Sequence, residues 1–473
     1  MENQLMSEGK KPNILFLFTD DQQSDTIRAL GNDLIDTPNM DRLVRDGVAF
    51  TNAYIMGGSS PAVCSPSRAC LFSGQTLWNI ENQGLFGYEI SEKYRTLPQV
   101  FREDGYTTFA TGKNEPGRGG HFARSFSCGD KILFRGMSNQ YRLPLCSFSQ
   151  EGDYSEDREE IHEGEHSAEV YADAAVKFIK GHQEKDEPFF AYVAFQTPHD
   201  PRECPEEFMS MYKASDVPLP KSFVPEHPFD NGMLRIRDEN LEGFPRKAEK
   251  VREHVAAYYA MVTHTDAQIG RILEALDASG KSEETIIVFS SDNGLAVGRH
   301  GLMGKQNVYD HALHVPMVIS GKGIPKGEKR DQLCYIYDIY PTLCDLAGIK
   351  TPETVEYRSL SSVIHDNGAQ HRDHLYHAFM DWQRTIRNDR YKLIEYCVKE
   401  ERSTQLFDLK EDPEEMNNLG AKEEFSEILE ELREKLRVEA RKLNDGNTPY
   451  EFSNQQGVDF WGMYDRVKES FYP

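Results

Sequence analysis

Two apolar runs in this chain end in clusters of oxygen donors. Asn13 to Phe18 leads into Asp20-Asp21, and Thr285 to Ser290 leads into Ser291-Asp292-Asn293-Gly294. Three carboxylates and a carboxamide, without a histidine-rich partner, suit a hard divalent cation such as Ca²⁺ or Mg²⁺. Read singly, Asp-Asp is a helix cap and Asp-Asn-Gly an ordinary turn. Read together they describe one site, because ligands of open α/β sheets gather at the carboxyl ends of strands. Two lysines offer the opposite charge: Lys113 in Thr111-Gly112-Lys113 and Lys305 in GLMGKQNVYDH. Glycine beside lysine lets ammonium and backbone approach an oxyanion, although solvated surface lysines share that local pattern. His199, in Thr197-Pro198-His199-Asp200-Pro201-Arg202, is bracketed by prolines after the run Phe189 to Phe195. Held rigidly there it is a general-acid candidate, against the commoner structural role of a lone histidine. Arg202, and Arg299-His300 ahead of the Lys305 turn, could bind a carboxylate or sugar hydroxyls; a surface or structural ion-pair role competes with that reading.

These residues need a scaffold of strands. Compact β-branched and aromatic runs at Asn13 to Phe18, Thr107 to Ala110, Phe189 to Phe195, Thr285 to Ser290 and Val315 to Ser320 alternate with helical patterns, which is an α/β signature. The runs are apolar on successive residues, as strands covered on both faces of a large, mostly parallel sheet must be. Helices are expected over Ser167 to Lys180, stopping at Gly181, and over Arg252 to Ala278, whose stripe includes Val255, Tyr259, Val262, Ile269 and Leu276. Residues 201–245 form a Pro- and acid-rich irregular excursion of the kind that shapes binding sites. After Pro352 the pattern changes to short strands with turn signals (385–387, 391–396, 405–409) and an acidic helix from Glu423 to Leu443. The expected organisation is an α/β domain over 1–352, its sheet sandwiched by helices, and a smaller α+β domain with an antiparallel sheet over 353–473.

Composition narrows the partners. A net charge of −24 argues against nucleic acid, and no apolar run is long enough to cross a bilayer. Any anionic ligand must therefore meet a local cationic pocket. The eight cysteines show no C-x-x-C spacing, which indicates neither a zinc site nor a disulfide scaffold. The N-terminal apolar run ends in two acids and reads as a strand, not as a signal peptide. The protein is then cytoplasmic, or periplasmic or extracellular if an export signal has been removed.

One stretch remains, Cys64-Ser65-Pro66-Ser67-Arg68, followed by Ser73-Gly74. With Asp20-Asp21, Gly112-Lys113, Pro198-His199, Asp292-Asn293-Gly294, Gly304-Lys305 and the late QLFDLKEDPEEMNNL, all in order, the chain resembles the sulfatase family of the alkaline-phosphatase-like superfamily, whose signature is C-x-P-S-R followed by T-G. The resemblance implies that Cys64 is oxidised to formylglycine by a formylglycine-generating or anaerobic sulfatase-maturing enzyme. It implies a sulfuric ester hydrolase in which one hydroxyl of the hydrated residue attacks sulfur and the second expels sulfate from the covalent enzyme ester. Asp20, Asp21, Asp292 and Asn293, with residue 64 itself, would hold Ca²⁺ or Mg²⁺. Arg68 would orient the hydrate, Lys113 and Lys305 would offset charge on the sulfate oxygens, and His199 or Lys305 would protonate the leaving alcohol. The implied substrate is a sulfated carbohydrate, with Arg202 and His300 as substrate-binding residues. One departure is visible: relatives carry G-K-x-H, whereas this chain has Gly112-Lys113-Asn114-Glu115. Glu115 or His121 are the candidates to stand in for that histidine. The competing readings are a phosphonate or phosphate ester hydrolase of the same superfamily, and a noncatalytic binder of sulfated glycans.

Overall fold

The computed structural model describes residues 10–80, 90–114, 120–148, 159–445 and 460–472. Glu115 lies outside them. A ten-stranded sheet dominates, and at its centre Thr285–Ser291, Asn13–Thr19, Phe189–Ala194, Thr107–Lys113 and Cys128–Leu133 run parallel, side by side in that order. Antiparallel strands flank this block, Met317–Gly321 against Thr285–Ser291 and Arg142–Phe148 against Cys128–Leu133. The sheet is thus mixed and mostly parallel, as the unbroken apolar runs require. Ile14, Phe16 and Phe18 belong to one apolar cluster and Leu15 and Leu17 to another, so each successive residue of the central strand is buried on the opposite face.

One cluster is covered by the helices Pro38–Arg45, Ser167–Gly181 and Ala248–Ala278, the other by Cys64–Ser73, Leu97–Glu103 and Ile339–Ala347. The long helix begins four residues before the expected Arg252. The strand expected from Val315 begins instead at Met317, because Pro316 has no N–H to give a ladder. A second sheet of six strands is built from residues 375–408, Glu469–Ser470 and the short Gly57–Gly58 strand; Leu375–Phe379, Gln383–Arg387, Tyr391–Val398 and Glu401–Asp408 form an antiparallel meander within it. Helix Ser426–Lys442 packs on this sheet. The excursion 201–245 has only two short helical turns, Glu206–Met209 and Glu239–Leu241.

A buried carboxylate ties two of the helices together. Asp266, within the long helix, accepts hydrogen bonds from the backbone N–H groups of Asn39 (3.1 Å) and Met40 (2.7 Å) and from the Asn39 amide (2.9 Å), all at the N-terminus of Pro38–Arg45. Thr37, the residue before that helix, makes no capping bond, so Asp266 caps it from a distance. Asp266→Ala is expected to lower stability by about 2–3 kcal/mol, since it orphans one buried and two half-buried donors at a helix N-terminus. Equilibrium urea denaturation would show this as a lower midpoint at an unchanged slope.

Candidate active site

The parallel strands deliver their chemistry to one edge of the sheet. Asn13–Thr19 runs into Asp20 and Asp21, Thr285–Ser291 into Asp292 and Asn293, Phe189–Ala194 leads on to His199, and Thr107–Lys113 ends on its lysine. Gly112 permits that ending. Its φ is +87°, and a Cβ there would stand 1.9 Å from the Ala194 carbonyl oxygen. Asp21 also takes a positive φ, +65°, and is pinned by Tyr258, whose hydroxyl donates to the Asp21 carbonyl (2.6 Å) and accepts from Gln23 N–H (2.9 Å).

Cys64 opens the helix Cys64–Ser73 and is 2% exposed. Its sulfur and one carboxylate oxygen each of Asp20 and Asp292 lie within 4.8 Å of one another. Arg68, one helical turn on, is fully buried. It donates from Nε to Asp292 (2.8 Å), from Nη2 to Asp20 (3.4 Å), and from Nη1 to the Lys113 carbonyl (3.0 Å) and the Tyr192 hydroxyl (3.2 Å). The Pro-Ser spacer in the signature therefore sets the cysteine and the arginine on one face of a helix, where the arginine braces both arms of the acidic cluster.

The lysines complete the charge pattern. Lys113 Nζ donates to Asp20 Oδ2, and Lys305 Nζ donates to Asp21 Oδ1 at 2.5 Å, where Asn293 Nδ2 also donates at 2.7 Å. Burial opposes ionisation of Asp20, but Lys113, His199, Lys305 and Arg68 outweigh it and hold the carboxyl far below its usual range. Burial and then the neighbouring Asp20 push Asp292 up to about 6. His199 Nδ1 lies 2.8 Å from the Asp200 carbonyl oxygen, which can only accept, so Nδ1 carries hydrogen and Nε2 faces Asp21 Oδ2 at 3.8 Å.

The donor set fits a divalent cation. Asp20 Oδ1, Asp21 Oδ2 and Asn293 Oδ1 are sealed from solvent and have no hydrogen-bond partner among the described residues. Two carboxylate oxygens and an amide oxygen left without partners are costly to bury, and a hard cation is the group that satisfies several of them at once.

Other sequence-proposed residues are placed differently. Arg202 donates from Nη1 to His254 Nδ1 at 2.5 Å and makes no hydrogen bond to the cluster among the described residues. His300 does not join it. Gly298, His300 and Gly301 all have positive φ, and the turn they make lays the His300 ring flat on Tyr309, centroids 4.1 Å apart. There it lines a cavity of about 360 Å³ with Tyr54, Asp310 and Arg387, while Arg299 pairs with Asp25. His121 is buried with neither ring nitrogen bonded among the described residues; burial, and secondarily Arg124, push it down to about 3.

Sequence reading missed the residues that hold the Lys305 loop. Gln306 Nε2 donates to Asp238 (2.7 Å) and to the Pro61 carbonyl (2.9 Å), and Glu239 accepts from Met303 N–H and Gly304 N–H, both at 2.9 Å. The only available signal was the acid-rich character of the 201–245 excursion that supplies Asp238 and Glu239.

Comparison with known proteins gives the same direction. Residues 12–349 match the sulfatase family profile, and residues 298–442 match the C-terminal part of N-sulphoglucosamine sulphohydrolase. An arylsulfatase of Clostridium perfringens is 30% identical over 93% of this chain and 96% of its own. An N-acetylglucosamine-6-O-sulfatase of Bacteroides thetaiotaomicron is 25% identical over 94% of this chain and 89% of its own. In fold, BT4656, solved in complex with its substrate D-glucosamine-2-N,6-O-disulfate, superposes with a TM-score of 0.77 at 23% identity, covering 94% of this chain and all of that one. With a profile match across most of its length and a near full-length relative at that identity, the chain belongs to the sulfatase family, and the protein is a sulfatase.

Proposed function

We propose that the protein removes sulfate from a sulfated carbohydrate, with residue 64 as nucleophile after a maturing enzyme has oxidised it to formylglycine, and with Ca²⁺ held by Asp20, Asp21, Asp292, Asn293 and residue 64. The observation that carries this is the placement of the Cys64 side chain against Asp20 and Asp292, with Lys113 bound to Asp20 and Lys305 to the adjoining Asp21. Ca²⁺ is preferred over Mg²⁺ because the donors are several protein oxygens converging in one buried cage, whereas Mg²⁺ retains most of its waters. When present, the hydrated formylglycine supplies an attacking hydroxyl and a second one whose deprotonation frees sulfate, and the cation supplies Lewis acidity to both ester and hydroxyl.

The chain's own residues then have separable tasks. Lys113 and Lys305 keep fixed positive charge beside the cluster, in surroundings dry enough for that charge to stabilise an oxyanion. Three acids and three buried cations (Arg68, Lys113, Lys305) balance one another in the protein alone, so a bound divalent ion leaves an excess of positive charge to attract an anionic ester. Arg68 holds Asp20 and Asp292 at fixed separation. His199, oriented by its Nδ1–H bond to the Asp200 carbonyl, turns Nε2 toward the acidic cluster, and Nε2 is the atom through which a proton passes to the departing alcohol oxygen.

The test is anion release from matched sugar sulfates and sugar phosphates by protein co-expressed with a formylglycine-generating enzyme, with conversion of residue 64 verified by mass. Sulfate release that depends on conversion is the expected result. Phosphate release instead of sulfate would assign the site to phosphoryl esters.

A further inference from the structure

Arg237 ties together two loops of the active site that reach it from different strands. It lies on the excursion 201–245 with its side chain 45% exposed, and its one guanidinium holds two carboxylates that are each only 7% exposed. Nη1 and Nη2 donate to the two oxygens of Asp200 (2.7 and 3.2 Å), while Nε and Nη2 donate to Asp238 Oδ1 (3.0 and 2.6 Å). Asp200 and Asp238 share the Nη2 group, so the cation stands where two like charges would otherwise face each other.

Each carboxylate leads on to a group of the acidic cluster. Asp200 follows His199, whose Nδ1–H donates to the Asp200 carbonyl (2.8 Å) and whose Nδ1 lies 3.6 Å from Asp200 Oδ1. Asp238 Oδ2 accepts from Gln306 Nε2 (2.7 Å), and Gln306 Oε1 accepts from Lys305 N–H (3.0 Å). Glu239 holds the same loop through Met303 N–H and Gly304 N–H, both at 2.9 Å. The two routes meet again at Asp21, where His199 Nε2 faces Oδ2 at 3.8 Å and Lys305 Nζ donates to Oδ1 at 2.5 Å. The circuit is thus closed on the inside by Asp21 and on the outside by Arg237. Its inner members are buried, whereas Arg237 faces solvent with nearly half its side chain. A partly exposed ion pair adds little to global stability. A displacement of about 1 Å in a reacting group costs about 100-fold in rate, so the weight of this clamp falls on catalysis.

We infer that Arg237 is a positioning residue, which clamps the segment carrying His199 to the excursion that holds the Lys305 loop, so that imidazole and ammonium stay on the two oxygens of Asp21 and face the departing alcohol together. This rests on the sulfatase reading above and adds to it a residue that touches neither the cluster nor the ester.

Two measurements on the wild type, Arg237→Met and Arg237→Lys test it. The first is amide hydrogen exchange of the unmatured proteins. Without a cation between them Asp200 and Asp238 repel, and the segment 196–204, which contains the His199 N–H bonded to the Gln196 carbonyl (3.1 Å), is released. In Arg237→Met this segment is expected to exchange about 10-fold faster, while 300–308, still held by Glu239, and the sheet strands keep their wild-type protection. Unchanged exchange in 196–204 would overturn the clamp. Faster exchange throughout the protein would make Arg237 a general structural residue and overturn it as well.

The second measurement is sulfate release by matured protein from sugar sulfates and from phenyl sulfates whose ring substituents vary the acidity of the leaving phenol. A displaced proton donor matters most where the leaving oxygen is most basic. Arg237→Met is expected to lower kcat by about 30-fold on the least acidic leaving groups and about 3-fold on nitrophenol, with KM nearly unchanged. Arg237→Lys, which keeps a charge between the two carboxylates, should recover part of the loss. A loss of equal size across the series would place Arg237 on the scissile sulfate, and a loss carried by KM would make it a substrate contact; either overturns the positioning role. Absence of sulfate release from every ester would count against the sulfatase reading, while hydrogen exchange still decides whether Arg237 clamps the His199 segment.

Discussion

Cys64→Ala is expected to lower kcat/KM by about 10⁴-fold or more while leaving the melting temperature nearly unchanged, because it removes the nucleophile and keeps the buried ion pairs of Asp20, Asp21 and Asp292 in place. The change deletes one sulfur atom at the first turn of a helix, where alanine is the best helix former. Asp20→Ala sets the comparison. Asp20 accepts from both Lys113 and Arg68, so its removal leaves two buried cations short of a partner, which costs about 3–5 kcal/mol for a broken buried pair. Activity and stability should therefore fall together in Asp20→Ala and separately in Cys64→Ala. Sulfate release and thermal unfolding, measured on the same preparations, read both quantities. A Cys64→Ala protein that kept more than about 1% of wild-type turnover would place the nucleophile elsewhere.

That contrast also shows which parts of the site could be read without a structure. Asp20-Asp21 and Asp292-Asn293 were legible because each pair follows an apolar run, and two runs in a parallel sheet bring their carboxyl ends to the same edge. Strand pairing between Asn13–Thr19 and Thr285–Ser291 makes neighbours of residues more than 270 apart in the chain, but the strand-end rule anticipates it. Cys64 and Arg68 were legible through their spacing and family likeness, although the arginine turned out to brace carboxylates on two strands. The partners of the Lys305 loop follow no such rule. Asp238, Glu239 and Gln306 meet through the path of an irregular excursion, which has no periodicity to betray where it folds back. His300 shows the converse limit. It lies only five residues before Lys305, yet the positive-φ backbone at Gly298, His300 and Gly301 directs its ring onto Tyr309.

The second large effect is loss of stability in mild acid. His121, His166, His227, His264 and His377 are each buried, and burial is the leading cause that pushes them down to about 3 (His121, His166, His377) or about 4 (His227, His264). In the unfolded chain each titrates near 6.5. A folded value below the unfolded one means that the unfolded chain binds the proton first. Stability is then fully present above about pH 6.5 and falls as pH drops toward 4, by up to about 1.4 kcal/mol per pH unit for each group. Buried carboxyls work the other way: burial raises Asp266 and Glu415 to about 7 and Asp292 and Asp381 to about 6, so the folded protein takes up those protons first and part of the histidine slope is offset down to about pH 4. Burial also pushes His254 and His314 down to about 4 and His300 to about 3, so below pH 6 eight histidines stand against four carboxyls and the net slope is steep against a total stability of about 5–15 kcal/mol. We expect cooperative unfolding between about pH 5.5 and 4.5, with net uptake of several protons per molecule measured by calorimetry in buffers of different ionisation enthalpy. His121→Leu isolates one contributor, since neither ring nitrogen of His121 has a hydrogen-bond partner among the described residues and Phe122 lies beside it in the apolar core. The variant should match the wild type at pH 7.5, unfold at a lower pH and take up about one proton fewer. An unchanged acid midpoint in His121→Leu, with the wild-type proton count intact, would mean that the ring is already protonated in the folded protein and that the acid limit is set elsewhere.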